Sequence, residues 1–118
     1  MLQLLAHLIG DYLLQNDWMA ASKRKSTFAC AVHCWFYTLP FIFICNTTLL
    51  QSFAILGSHF LIDRFGLAQY WVKLINWNWN SKNFGFDDNK PSFLSIWLLI
   101  IVDNTFHIIC NYLAISYI

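Results

Sequence analysis

The sequence predicts an all-α integral membrane protein, a bundle of four transmembrane helices with a short interfacial helix between helices three and four. Three observations carry that prediction. The 118 residues are 58% hydrophobic, 19% aromatic and only 11% charged, against about 25% charged in an average soluble domain. A soluble chain this short has too much surface for its core to absorb so much apolar area. The apolar residues also gather into four segments, each near the roughly 17–25 residues that cross a bilayer core. At this length the natural reading is a single domain over residues 1–118.

The first segment, about 2–20, begins MLQLLAHLIGDYLLQ. It lacks a basic flank and an Ala-x-Ala-like cleavage site, so it reads as a retained membrane helix rather than a signal peptide. The second, about 28–45, contains Pro40, which is expected to kink it. The third, about 49–65, and the first are weak by hydropathy alone, because both carry polar residues. A bundle lets those residues face inward, where they can be satisfied. The fourth, about 93–118, starts plausibly at Pro91-Ser92. Between the third and fourth, LAQYWVKLINW predicts an amphipathic surface helix over about 67–76, and NWNSKNFGFDDNKPS an ordered loop. Tyr70, Trp71, Trp77 and Trp79 suit the headgroup region.

Charge sets the expected orientation. Lys23, Arg24 and Lys25 fall in the first loop, and Arg64, Lys73, Lys82 and Lys90 at or within the third, while the middle loop and both termini have no Lys or Arg. The positive-inside rule then places loops 21–27 and 66–92 in the cytoplasm and both termini outside. The first-loop cations would also suit an anionic headgroup, although topology alone explains them. The net charge of +1 gives no basic patch for nucleic acid.

The chemistry is concentrated in His/Asp pairs. His7/Asp11, His59/Asp63 and Asp103/His107 are each four residues apart, and His33 lies in a further apolar segment. Residues at i and i+4 share a helix face, so each pair can present a nitrogen and a carboxylate to one point. Gln15 extends the first pair into a stripe, and Asn111 extends the last. At about 1.5 Å per residue, Asp11, His33, His59 and Asp103 all fall within about two turns of their segment midpoints, so antiparallel helices bring them to one depth.

Ionisable groups inside a membrane are costly and mark functional sites. Imidazole and carboxylate are ligands for Zn, Mn, Fe or Ni, with a zinc or manganese ion the first choice. The candidate ligands are His7, Asp11, His33, His59, Asp63, Asp103 and His107. Asp11, Asp63 and Asp103 would serve as ligands, as orienters of imidazole rings, or as the base for a bound water. Two metals sharing an aspartate would suit phosphoester hydrolysis. The same groups could instead form a proton relay, or simply specify helix packing. Cys30, Cys34, Cys45 and Cys110 have no metal-binding spacing and read as small buried hydrophobes. No Gly-rich phosphate loop, GxSxG elbow or HExxH occurs.

HLIGDYLLQNDWMAASK at 7–23, the single His33, HFLIDR at 59–64 and DNTFH at 103–107 together resemble the bacterial and phage family known as domain of unknown function 3307. The resemblance covers nearly the whole chain. It implies a small multi-pass membrane protein without an assigned activity, with pattern positions at His7, Asp11, Gln15, Lys23, His33, His59, Asp63 and His107 and with Asp103 opening the last motif. Asn104 stands where a glutamine is commoner, and Arg64 where a lysine is common. The arrangement is also similar in style to inner-membrane metal-dependent hydrolases, an analogy of motif rather than of inherited function. Three function classes therefore stand: a metal-dependent hydrolase of a lipid or lipid-linked phosphoester, a proton-coupled carrier, and a non-catalytic membrane interaction protein. A bundle of this size is also a candidate for self-association.

Overall fold

The computed structural model describes residues 1–118, and the chain is helical with no strand. Helix α1 spans Leu2–Leu8 and runs into a π-helical turn, Ile9–Leu13. Then follow α2 (Asp17–Ser22), α3 (Thr27–Cys45), α4 (Leu49–Phe65), α5 (Leu67–Ile75) and α6 (Ser92–Tyr117).

The first predicted segment is thus not one helix. Its backbone leaves helical geometry at Leu14, and Asn16 caps α2 by accepting from the Met19 N–H at 2.9 Å. Asn and Asp compete for backbone donors in this way, which favours a helix start over a helix interior. Seven α residues and five π residues remain ahead of the break. At about 1.5 Å per residue they reach only about 18 Å, short of a hydrocarbon core of about 30 Å. Gln15 lies past the helical turn but still lines a cavity together with Asp11.

The other starts are capped by recognisable residues. The Ser26 hydroxyl accepts from the Ala29 N–H, and Thr48 forms a reciprocal capping box with Gln51. Helix α3 continues through Pro40, which is buried. Asn46 and Gly66, both in the left-handed region, end α3 and α4.

Only two helices, α3 and α6, are long and apolar enough to cross a membrane, rather than the four expected. Helix α4, with 17 residues, is shorter than these two, and Gln51, Ser52, Ser58, His59, Asp63 and Arg64 all lie on it. Its polar residues turn inward: Ser52, His59 and Asp63 are buried. Helix α6 has the opposite character. Ser95, His107, Asn111 and Ala114 form its buried face, while Phe93, Ile96, Trp97, Ile101, Ile109 and Leu113 are exposed.

Helix α4 packs between α3 and α6, and α1 bridges α3 and α6 on another side. The apolar core at one end of this bundle joins Ala6, Tyr37, Phe41, Ile55 and Ala114. Gly10 permits the closest approach: a Cβ there would lie 2.7 Å from Tyr37 Cδ2 and 2.9 Å from the Tyr37 carbonyl oxygen. Helix α5 buries Ala68 and Val72 and sets Trp71 edge-on to Phe106 of α6. The loop after it is ordered by its own amides, with Asn83 Nδ2 donating to the carbonyls of Asp87 and Lys90, both at 2.9 Å.

Candidate metal centre

Four elements deliver polar side chains to one buried point. The π-helical turn supplies Asp11, α3 supplies His33, α4 supplies His59 and Asp63, and α6 supplies His107 and Asp103. A π turn offsets the helical register and is frequent at functional sites; here it carries Asp11 toward α3, with Gly10 pressed on Tyr37. The side chains of His33, His59, His107 and Asp63 are at most 1% exposed, and that of Asp11 is 8% exposed.

The first donor group consists of Asp11 Oδ1, His33 Nε2, His59 Nε2 and Asp63 Oδ2. His33 Nε2 lies 2.9 Å from His59 Nε2, 3.3 Å from Asp11 Oδ1 and 3.1 Å from Asp63 Oδ2. His59 Nε2 lies 3.4 Å from Asp11 Oδ1 and 3.2 Å from Asp63 Oδ2. A tetrahedral ion with bonds of about 2.0–2.1 Å holds its ligands about 3.3–3.4 Å apart. The five separations are near that ligand–ligand distance, and all four donor atoms lie within 4.8 Å of one another. Asp63 Oδ2 is met by the Lys23 ammonium at 2.8 Å. Asp11 Oδ1 is buried without an aligned hydrogen bond, which is costly for a carboxylate unless a cation compensates it.

The second group shares Asp63. His107 Nε2 is 3.0 Å from Asp63 Oδ1 and 3.2 Å from Asp103 Oδ2. One carboxylate therefore turns Oδ2 to the first group and Oδ1 to the second. The Asp103 side chain is 27% exposed and gives the centre its open side. The buried His/Asp groups have the donors and spacing to hold a metal ion.

His7 sits differently. Its Nε2 donates to Asn104 Oδ1 at 3.2 Å, since an amide oxygen can only accept, and its Nδ1 meets the Tyr37 hydroxyl at 2.8 Å. Both ring nitrogens are engaged, and Nδ1 is 3.6 Å from Asp11 Oδ2. His7 thus braces the centre from behind and belongs to neither donor group.

Two residues at the centre have roles that spacing did not assign. Tyr37 stacks on His59 with ring centroids 3.6 Å apart, and its oxygen accepts from Asn111 Nδ2 at 2.7 Å. The available signal was its place four residues beyond His33, on the same helix face. Lys23, which the loop reading explains by topology alone, reaches inward until Nζ is 2.8 Å from Asp63 Oδ2, with its side chain 20% exposed. Burial pushes this ammonium's pKa down, and the Asp63 carboxylate outweighs burial and leaves it raised. Arg64 hydrogen-bonds the Arg24 carbonyl and Thr27 Oγ1, tying the end of α4 to the loop that carries Lys23.

A family model described as "Protein of unknown function (DUF3307)" matches residues 1–117. The chain belongs to the DUF3307 family. Comparison with curated proteins and with solved structures found no match. The motifs that carry the family resemblance, at 7–23, 59–64 and 103–107, are the stretches that supply Asp11, Lys23, His59, Asp63, Asp103 and His107 to this DUF3307 centre. Cys30 and Cys34 are buried beside it with their sulfurs 4.0 Å apart, and all four cysteines are free.

Proposed function

We propose that this DUF3307 protein is a membrane-embedded divalent-metal protein that hydrolyses a lipid or lipid-linked phosphoester. The observation that carries the reading is the closely spaced set of Asp11, His33, His59 and Asp63, with Asp63 shared by a second group containing Asp103 and His107. Hard carboxylate with borderline imidazole suits zinc or manganese. The largely apolar outer face of α6 supports a bilayer setting, because exposed apolar patches mark membrane or protein contacts.

A bound divalent ion would supply a water of lowered pKa and neutralise charge on phosphoryl oxygens. The chain's own residues do the rest. Asp103, on the open side, accepts the proton of the attacking water as its oxygen bonds phosphorus. The phosphorus–oxygen bond to the alcohol breaks, and the departing alkoxide takes a proton back from Asp103. His107 holds Asp103 Oδ2 at 3.2 Å and so fixes the carboxylate's direction.

Elemental analysis of detergent-purified protein beside His59→Ala tests the reading. Wild type should carry near-stoichiometric zinc or manganese after reconstitution, and the variant should lose it. A wild type that stays empty after reconstitution overturns the metal reading and leaves the His/Asp network as a proton relay or a packing device. pH-dependent flux in proteoliposomes separates those two.

A further inference from the structure

A cavity of about 190 Å³ opens beside the centre, walled by Asp63 and Asp103 within, Lys23 and Arg24 at its mouth, and Gln69 and Ile100 among its other sides. On the same measure a single water needs only about 10–15 Å³. A second cavity of about 140 Å³ reaches Asp11 and meets the first at Lys23, Ile100 and Asp103. Asp63 and Asp103 thus line the first cavity, Asp11 and Asp103 the second, and the two cavities are neighbours.

Arg24, an exposed residue, lines this cavity together with Lys23. The Arg24 guanidinium lies against Gly66, where even a Cβ would come within 2.3 Å of it. Gly66 has φ +60°, a backbone conformation that opposes a side chain there. Arg24 makes no ion pair with the chain's own carboxylates, whereas neighbouring Lys23 is held by Asp63.

Charge identifies the ligand. With imidazoles neutral, as ligation requires, Asp11, Asp63 and Asp103 against Lys23 leave two net negative charges at the centre. One divalent ion balances them. With that ion held by the first donor group, Arg24 adds an unbalanced positive charge at the cavity. Lys23 would then share Asp63 with the ion, and its ammonium would be available to an anion in the cavity.

We infer that this cavity binds the phosphoryl group of an anionic ligand, with Arg24 and Lys23 clamping its oxygens against the metal-loaded centre. The inference rests on the metal reading and names the recognition residues for it. A guanidinium fork matches phosphoryl oxygens in a way an ammonium cannot, so Arg24 fixes orientation and Lys23 supplies charge.

Calorimetric titration of zinc-loaded protein in detergent tests this, using inorganic phosphate and a short-chain phosphatidic acid as probes, with metal content measured on the same sample. Both probes should bind, and Arg24→Gln should weaken binding at least about tenfold, the effect of a charge-assisted hydrogen bond, with zinc content and melting temperature unchanged. Tighter binding of the phosphatidic acid assigns the site to a lipid headgroup; equal binding assigns it to the phosphoryl group alone. Zinc-loaded protein that takes neither probe, or that binds equally well with Gln at position 24, overturns the inference by itself. Protein without zinc overturns the metal reading and this inference with it.

Discussion

Asp63→Asn isolates the energetics of the centre. The substitution keeps shape and removes charge from a side chain 1% exposed, leaving the Lys23 ammonium, 20% exposed, without its counter-ion at 2.8 Å. At an effective dielectric of about 20, opposite charges at that distance attract by about 6 kcal/mol. Part of this is offset by the desolvation of both groups. Removing one member of a buried pair costs about 3–5 kcal/mol. For a chain of 118 residues, with melting shifts of roughly 4 °C per kcal/mol, the expected drop is about 12–20 °C. The assay is thermal unfolding in detergent after chelator treatment, so that metal binding does not contribute. The double variant Lys23→Met/Asp63→Asn should recover most of the loss, because it leaves no unpaired ammonium while the lysine stem's packing is kept. Asp63→Asn melting with the wild type, or a double variant melting no higher than the single, would refute a stabilising buried pair.

Three further substitutions separate site from scaffold. Gly10→Ala puts a methyl 2.7 Å from Tyr37 Cδ2 and 2.9 Å from its carbonyl, so stability should fall by about 1–3 kcal/mol and zinc retention should weaken as Asp11 is pushed from α3; unchanged retention in competition with a chelator would show that Asp11 is not positioned this way. Tyr37→Phe strands the buried Asn111 Nδ2 and His7 Nδ1 and should cost about 1–3 kcal/mol in thermal melts, with metal content intact because Tyr37 belongs to neither donor group. Thr48→Ala removes the α4 capping box and should cost about 1 kcal/mol without altering metal content, measured by elemental analysis.

Much of the fold could be read from periodicity and punctuation. Helices α3, α4, α5 and α6 start and stop within about two residues of the segments drawn from the sequence, because Ser26, Thr48, Asn46 and Gly66 act locally, through side-chain caps or left-handed backbone. The first segment was misread because its apolar content continues through the break. Composition records hydrophobicity, and the break is decided by Asn16, whose amide captures a backbone donor that a continuous helix would have used.

At the site, i,i+4 spacing correctly paired residues within a helix, and each pair is in contact: His7 with Asp11, His59 with Asp63, Asp103 with His107. Spacing carries no information about which pairs meet across helices. Asp63 joins His33 and His107 because α4 lies between α3 and α6, a packing choice made by tertiary contacts. His7 shows the limit most sharply. Its spacing to Asp11 is the same as that of His59 to Asp63, yet Tyr37 and Asn104, from two other helices, occupy both its nitrogens. Lys23 shows the converse. A residue read as a loop charge lies against the most buried carboxylate because the α2–α3 turn is pinned by Arg64 at the end of α4, so its long stem points inward. In each case the partner that decides the residue's role comes from an element distant in sequence, and only the packed bundle contains that information.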